Sequence, residues 1–150
     1  MEPADESLAA HVIVLQAMNN LVTHGGVQRQ GCGALRKLAM EPQNRAVLMS
    51  NKHQAEVAVL TAMRSHPNHN KVQKQGCAAL GAFADDNTEN QATLIRLKAH
   101  EAVAAAMRNH PTQAKVQSRG CSALRKLLAS NGQTPPAVRF EFKCCLCEGK

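Results

Sequence analysis

At 150 residues the chain is one domain's worth of polypeptide, and its 44% apolar content is enough for a core that, with no Trp, no Tyr and three Phe, has to be filled by Ala, Val, Leu, Met and Cys. A formal net charge of +7 favours acidic partners and disfavours a receptor for basic ones. No apolar run approaches the ~20 residues of a membrane span, Glu2, Asp5 and Glu6 stand where a signal peptide would be basic, and the six cysteines are not spread as a secreted disulfide framework, so a reducing cytosol or nucleus is expected.

Pro3 followed by Asp5 and Glu6 predicts a helix start, with carboxylates at the positive end of the dipole. That helix runs through His11 to about Leu21, with Val12, Leu15 and Met18 apolar at three-residue steps. Thr23-His24-Gly25-Gly26 is expected to break it. The next helix spans about 27 to 40, with Val27, Gly31, Ala34, Leu35 and Leu38 on one face. After Glu41-Pro42 a short helix runs from Asn44 to Met49, with Ala46, Leu48 and Met49 inward. Asn51-Lys52-His53 turns the chain, a second helix reaches Met63, Ser65-His66-Pro67-Asn68 ends it, and a third covers about 70 to 84. The order then recurs. Asp85-Asp86-Asn87 makes the turn, and Asn90, Ala92, Leu94 and Ile95 align with Asn44, Ala46, Leu48 and Met49. His110-Pro111 aligns with His66-Pro67, and the last long helix covers about 113 to 129, stopped by Asn131-Gly132 and Pro135-Pro136. Beyond it Val138-Arg139-Phe140-Glu141-Phe142-Lys143 alternates with period two, a strand pattern that caps the open end of the last unit or adds to a partner's sheet edge.

One stretch is written three times. Val27-Gln28-Arg29-Gln30-Gly31-Cys32-Gly33-Ala34-Leu35 returns from Val72 to Leu80 and again from Val116 to Leu124, with its glycines at 31, 76 and 120. A fixed period of this size marks a stacked-repeat array. Short, medium and long helices in each unit resemble the armadillo repeat family over about residues 10–131, and the Val-Gln-x-x-Gly-Cys-x-Ala-Leu-x-x-Leu pattern carries the resemblance. HEAT repeats are the near neighbour; the leading Asn of the first helix favours armadillo. The resemblance implies an all-α, right-handed armadillo/HEAT-like superhelix of about three repeats. Its units would be about 1–41, 42–86 and 87–131, followed by a tail over 132–150. Unit one lacks a clear first helix, and the Gly-Gly usual between helices one and two is absent.

The resemblance also implies a concave ladder of third helices that binds extended peptides. The family's groove Trp falls on Gly33, Ala78 and Ser122, and its groove Asn on Lys37, Ala82 and Lys126, so the ladder used for basic peptides is missing. Positive charge replaces it: Arg29, Arg36, Lys37, Lys71, Lys74, Lys115, Arg119, Arg125 and Lys126 lie on the third helices, which hold no Asp or Glu. The expected role is a protein-interaction module for an extended, acidic peptide or protein segment. The candidate contacts are Gln30, Arg36, Lys37, Gln75, Arg119, Ser122, Arg125 and Lys126. The competing reading is ordinary: basic residues in a helix's last turn complement its dipole and solubilise the surface. Nucleic acid is the alternative partner, through its phosphate backbone, although Phe83 alone is too little for stacking.

No catalytic constellation stands out, so no enzyme activity and no cofactor are expected. Cys32, Cys77 and Cys121 recur about one stacking distance, ~10 Å, apart, which is too far for one zinc ion and suits small buried hydrophobes. The paired histidines His24/His69 and His66/His110 suit capping and turns, with His53 and His100 placed ahead of second helices. Cys144, Cys145 and Cys147 form a poor zinc site and no prenylation box; reversible acylation and idle thiols are the readings left.

Overall fold

A computed structural model describes residues 3–129, with side chains from Ala10 onward. The strand-like stretch at 138–143, the stop signals from Asn131 on and the C-terminal cysteines lie outside the described residues. Eight helices form among those described: α1 (Pro3–Asn20), α2 (Gly25–Leu38), α3 (Pro42–Leu48), α4 (Ala55–Ser65), α5 (Asn70–Ala84), α6 (Thr88–Arg96), α7 (Ala99–Asn109) and α8 (Ala114–Leu128). Units two and three each have three helices. Unit one has two, and α1 runs straight through the place where a separate first helix would stand.

The units stack like on like. The third helices α2, α5 and α8 pack in that order, and the second helices α1, α4 and α7 do the same behind them. Small side chains allow the close approach. A Cβ added at Gly81 of α5 would stand 3.3 Å from the Cα of Ala123 on α8. The core that results is aliphatic: Leu35, Leu80 and Leu124 are fully buried at equivalent positions, Leu48 and Leu94 likewise, and Phe83 is the one phenyl ring sealed among them in the described residues.

Three local expectations are corrected. Gly25 and Gly26 do not break the chain but open α2, because His24 sits at the N-cap and its Nδ1 accepts from the Val27 N–H at 3.2 Å. In the short helices Ala46 and Ala92 face solvent, while Arg45 and Gln91 turn inward. Arg45 reaches back to the Ala39 carbonyl at 2.7 Å and across to the Asp85 carbonyl at 2.7 Å, so it staples the C-terminal ends of α2 and α5. Gln91, its equivalent, bonds the Ala84 carbonyl at 2.8 Å. His100 does not precede the second helix but lies within α7, buried.

Where the family would place glycines between the first and second helices, Gln54 (φ 50°) and Lys98 (φ 64°) take the left-handed conformation. Neither side chain caps its helix; the Gln54 N–H donates instead to the Ser50 carbonyl at 2.9 Å and the Lys98 N–H to the Ile95 carbonyl at 2.9 Å.

Candidate functional site

The site begins with what holds each third helix in register. Gln28 Nε2 donates to the Met18 and Leu21 carbonyls at 3.0 and 2.8 Å, clamping the C-terminal end of α1. Gln73 does the same to Met63 and His66, and Gln117 to Met107 and His110. Orphan carbonyls at a helix end need such partners. The repeated glycine explains the second contact. A Cβ at Gly31, Gly76 or Gly120 would stand 2.4–2.5 Å from the Cγ of Met18, Met63 or Met107, so each methionine lies in a notch that only glycine leaves open. These glutamines were legible in the repeated Val-Gln, but a glutamine in a polar helix reads as solvated unless the carbonyls it meets are known.

The histidines supply the rest of the framework. His24 and His69 cap α2 and α5. His66 Nε2 bonds the Val22 carbonyl at 2.7 Å, and His110 Nε2 bonds the Pro67 carbonyl at 2.8 Å, each pegging its unit to the one before. Cys32 and Cys77 are fully buried, and burial pushes both thiols up to about 12, with Cys32 adding to the effect on Cys77. They pack as small apolar groups. Cys121 is half-buried. Among the described residues no group of His, Cys, Asp and Glu has metal-holding geometry.

On this scaffold the cations converge at one end of the helix row. Lys71 and Lys74 occupy the first turn of α5 and the turn after it, Lys115 the first turn of α8, and Arg119 the turn above. Lys71, Lys74 and Lys115 line a cleft of about 360 Å³ together with Asn70 and Gln113. The Lys74 ammonium is held below the usual lysine range, first by partial burial and then by the fields of Lys115, Arg119, Lys71 and Arg36. Lys71 of the same helix, Lys115 and Arg119 of α8 and, from the last turn of α2, Arg36 thus all act on Lys74, so cations of three successive third helices are felt at one ammonium. Among the described residues, none of the nine third-helix cations lies in an ion pair with a carboxylate; Arg45 pairs with Asp85 elsewhere.

A second group stands at the other end of these helices. Arg36 and Lys37 lie in the last turn of α2, and Arg125 and Lys126 in the last turn of α8. Lys37 and Arg125 are exposed, Arg36 and Lys126 half-buried. Between the two groups, Gly33, Ala78 and Ser122 are small, half-buried and one per helix. Gln75 is half-buried where α5 meets α2, next to Gly33, with its side chain 3.7 Å from a Cβ built there. Gln30, its equivalent on α2, is exposed and borders an apolar cleft of about 620 Å³ between α1 and α2.

A model of the LRRK2 ARM repeat family matches residues 6–134. No curated protein and no solved structure matches the chain.

Proposed function

We infer the function from one premise: this chain belongs to the LRRK2 ARM repeat family, and an armadillo array of this kind is a repeat module for protein interaction. The finer reading is that the row of third helices takes an extended acidic segment of a protein partner. Its carboxylates would lie against the cations of α2, α5 and α8, with the small residues at 33, 78 and 122 leaving room for the peptide backbone.

One observation carries this reading. Basic residues in a last turn are accounted for by the helix dipole, and that covers Arg36, Lys37, Arg125 and Lys126. Lys71 and Lys115 sit in first turns, where the dipole opposes them, and no acidic residue occupies the first turn of α2, α5 or α8. Cations gathered at the unfavourable end, against one another and without carboxylates, weaken the fold; a ligand's negative charge removes that cost. Helices stacked about 8–10 Å apart put equivalent positions two units distant ~20 Å apart. An extended peptide at ~3.3 Å per residue covers this in about six residues.

The phosphate backbone of a nucleic acid offers the same charge. Phe83, the one aromatic on the third helices, is fully buried and can offer no stacking platform, which favours the peptide. The test is fluorescence anisotropy with a labelled oligo-glutamate peptide, an oligo-lysine control and a single-stranded oligonucleotide, at low and high salt. The expected result is oligo-glutamate binding that falls steeply with salt, is lost in Lys74→Glu/Lys115→Glu, and is weakened in Lys37→Glu/Lys126→Glu. Binding to oligo-glutamate that both double variants leave unchanged at low salt overturns the groove, and binding confined to the oligonucleotide transfers it to the second reading.

A further inference from the structure

We propose that the cleft between the N-terminal turns of α5 and α8 binds a compact polyphosphate, either a phosphoanhydride chain or a ring carrying several phosphomonoesters. The cleft encloses about 360 Å³ and is lined by Asn70, Lys71 and Lys74 of α5 and by Gln113, Lys115 and Val116 at the start of α8. That is the small end of the ~300–1,000 Å³ range of ligand pockets. Lys71 and Lys115 hold equivalent positions on neighbouring helices, which stack roughly 8–10 Å apart. Linked phosphates bridge such a span, and a single phosphate does not. Arg119 of α8 and Arg36 of α2 act on the Lys74 ammonium together with the other two lysines. One dianion offsets part of this charge; several joined phosphates offset it all, and lysines bind phosphate as point charges. Among the described residues no carboxylate lines the cleft to compete for the ammoniums, and no aromatic ring offers a nucleobase a stacking face.

The repeat shows why the opening lies at this junction. In unit one, Gly25, Gly26 and Arg29 stand where unit two has Asn70, Lys71 and Lys74, and His69 of unit two stands where unit three has Gln113. Between α2 and α5 the His69 ring fills the equivalent space: a Cβ at Gly25 would stand 2.7 Å from its Cδ2. The ring is held there because its Nδ1 accepts from the Val72 N–H at 3.3 Å. Between α5 and α8, Gln113 is exposed and its side chain does not cap α8. Glutamine for histidine and lysine for glycine thus exchange a filled, capped junction for an open, cationic one. The exchange weakens the fold twice, through the lost cap and through like charges set against two positive dipole ends. A bound polyphosphate reverses the second loss. The site does not rest on the groove reading, since it needs no peptide. It shares Lys74 and Lys115 with the groove, so a polyphosphate seated there displaces acidic segments from those two cations.

The test is isothermal titration calorimetry of the full chain, without peptide, at physiological ionic strength. The probes are tripolyphosphate, inositol hexakisphosphate, ATP, inorganic phosphate and sulfate. Tripolyphosphate or inositol hexakisphosphate is expected to saturate a single site, and the tighter of the two tells chain from ring. Inorganic phosphate and sulfate should bind about a hundredfold more weakly, at about tenfold for each charge-assisted contact forgone. ATP should bind no tighter than tripolyphosphate. Lys71→Gln/Lys115→Gln is expected to lose the site, whereas Arg125→Gln/Lys126→Gln removes the same charge at the other end of the helices and keeps it. Asn70→Gly/Gln113→His rebuilds the filled junction with every lysine in place and should lose the site too, with the circular dichroism of the unaltered chain. Sulfate binding as tightly as both polyphosphates, equal losses in the two charge-removing variants, or full binding by Asn70→Gly/Gln113→His overturns the proposal. A failure of oligo-glutamate to bind leaves it standing.

Discussion

Gly76 and Gly33 stand on neighbouring third helices, and the same substitution has opposite consequences at the two. A methyl group at Gly76 meets Met63 Cγ at 2.5 Å and Sδ at 2.6 Å, atoms too near the backbone to swing clear. Overpacking of this kind costs about 1–3 kcal/mol, more than the ~1 kcal/mol gained in helix propensity. At Gly33 the nearest atom is 3.7 Å away, so the propensity gain stands alone. Gly76→Ala therefore lowers the melting temperature and Gly33→Ala raises it, as thermal denaturation will read. Glu56 obeys a different constraint. It is buried on α4 at the position His11 and His100 occupy in the other units, and burial raises its carboxyl, offset in part by a hydrogen bond from its own backbone N–H. A raised folded-state value means the folded protein holds its proton longer than the unfolded chain, so ionisation destabilises the fold as pH rises through that window. Glu56→Gln is expected to raise the melting temperature at pH 7, by a margin that shrinks as pH falls below the ordinary carboxylate range. Equal margins at pH 4 and pH 7 would count against this.

Among the elements, the long helices were legible in extent and in phase, the short ones in extent alone. The third helix at 70–84 carries a repeated nine-residue signature and four turns of apolar spacing, which fix both its ends and its phase. The seven residues of α3 make fewer than two turns, too few for periodicity to choose between Arg45 and Ala46 as the inward residue. Arg45 won because the carbonyls of Ala39 and Asp85 lie within its reach, and nothing in the local sequence records those. The candidate site divides the same way. Its charge was readable from the absence of acids on the third helices, whereas the placement of Gln75 at a unit junction, and of Gln30 beside the α1–α2 cleft, needed the stacking itself. Helix polarity also turns the site into a stability measurement. Lys115 opposes the dipole of α8, and reversing its sign exchanges a penalty for a gain of roughly 0.3–1 kcal/mol. Lys115→Glu should melt higher than the unaltered chain while binding oligo-glutamate more weakly; a lower melting temperature would mean that the ammonium has a structural partner.

At the scale of the whole molecule, a net charge of +7 with five cations gathered across three helices makes self-repulsion a property of the array. Sodium chloride should then stabilise it, because the screening length falls from about 30 Å at 0.01 M to about 3 Å at 1 M. The melting temperature is expected to climb with salt, with a shallower slope for Lys115→Glu, and a flat profile for both would show that the cations are already compensated. The array is also unevenly braced. Between units one and two the planar guanidinium of Arg45 ties two helix ends together, while the corresponding Gln91 bonds within a single unit boundary. Replacing Arg45 would therefore release two helix ends at once, whereas replacing Gln91 releases the Ala84 carbonyl alone.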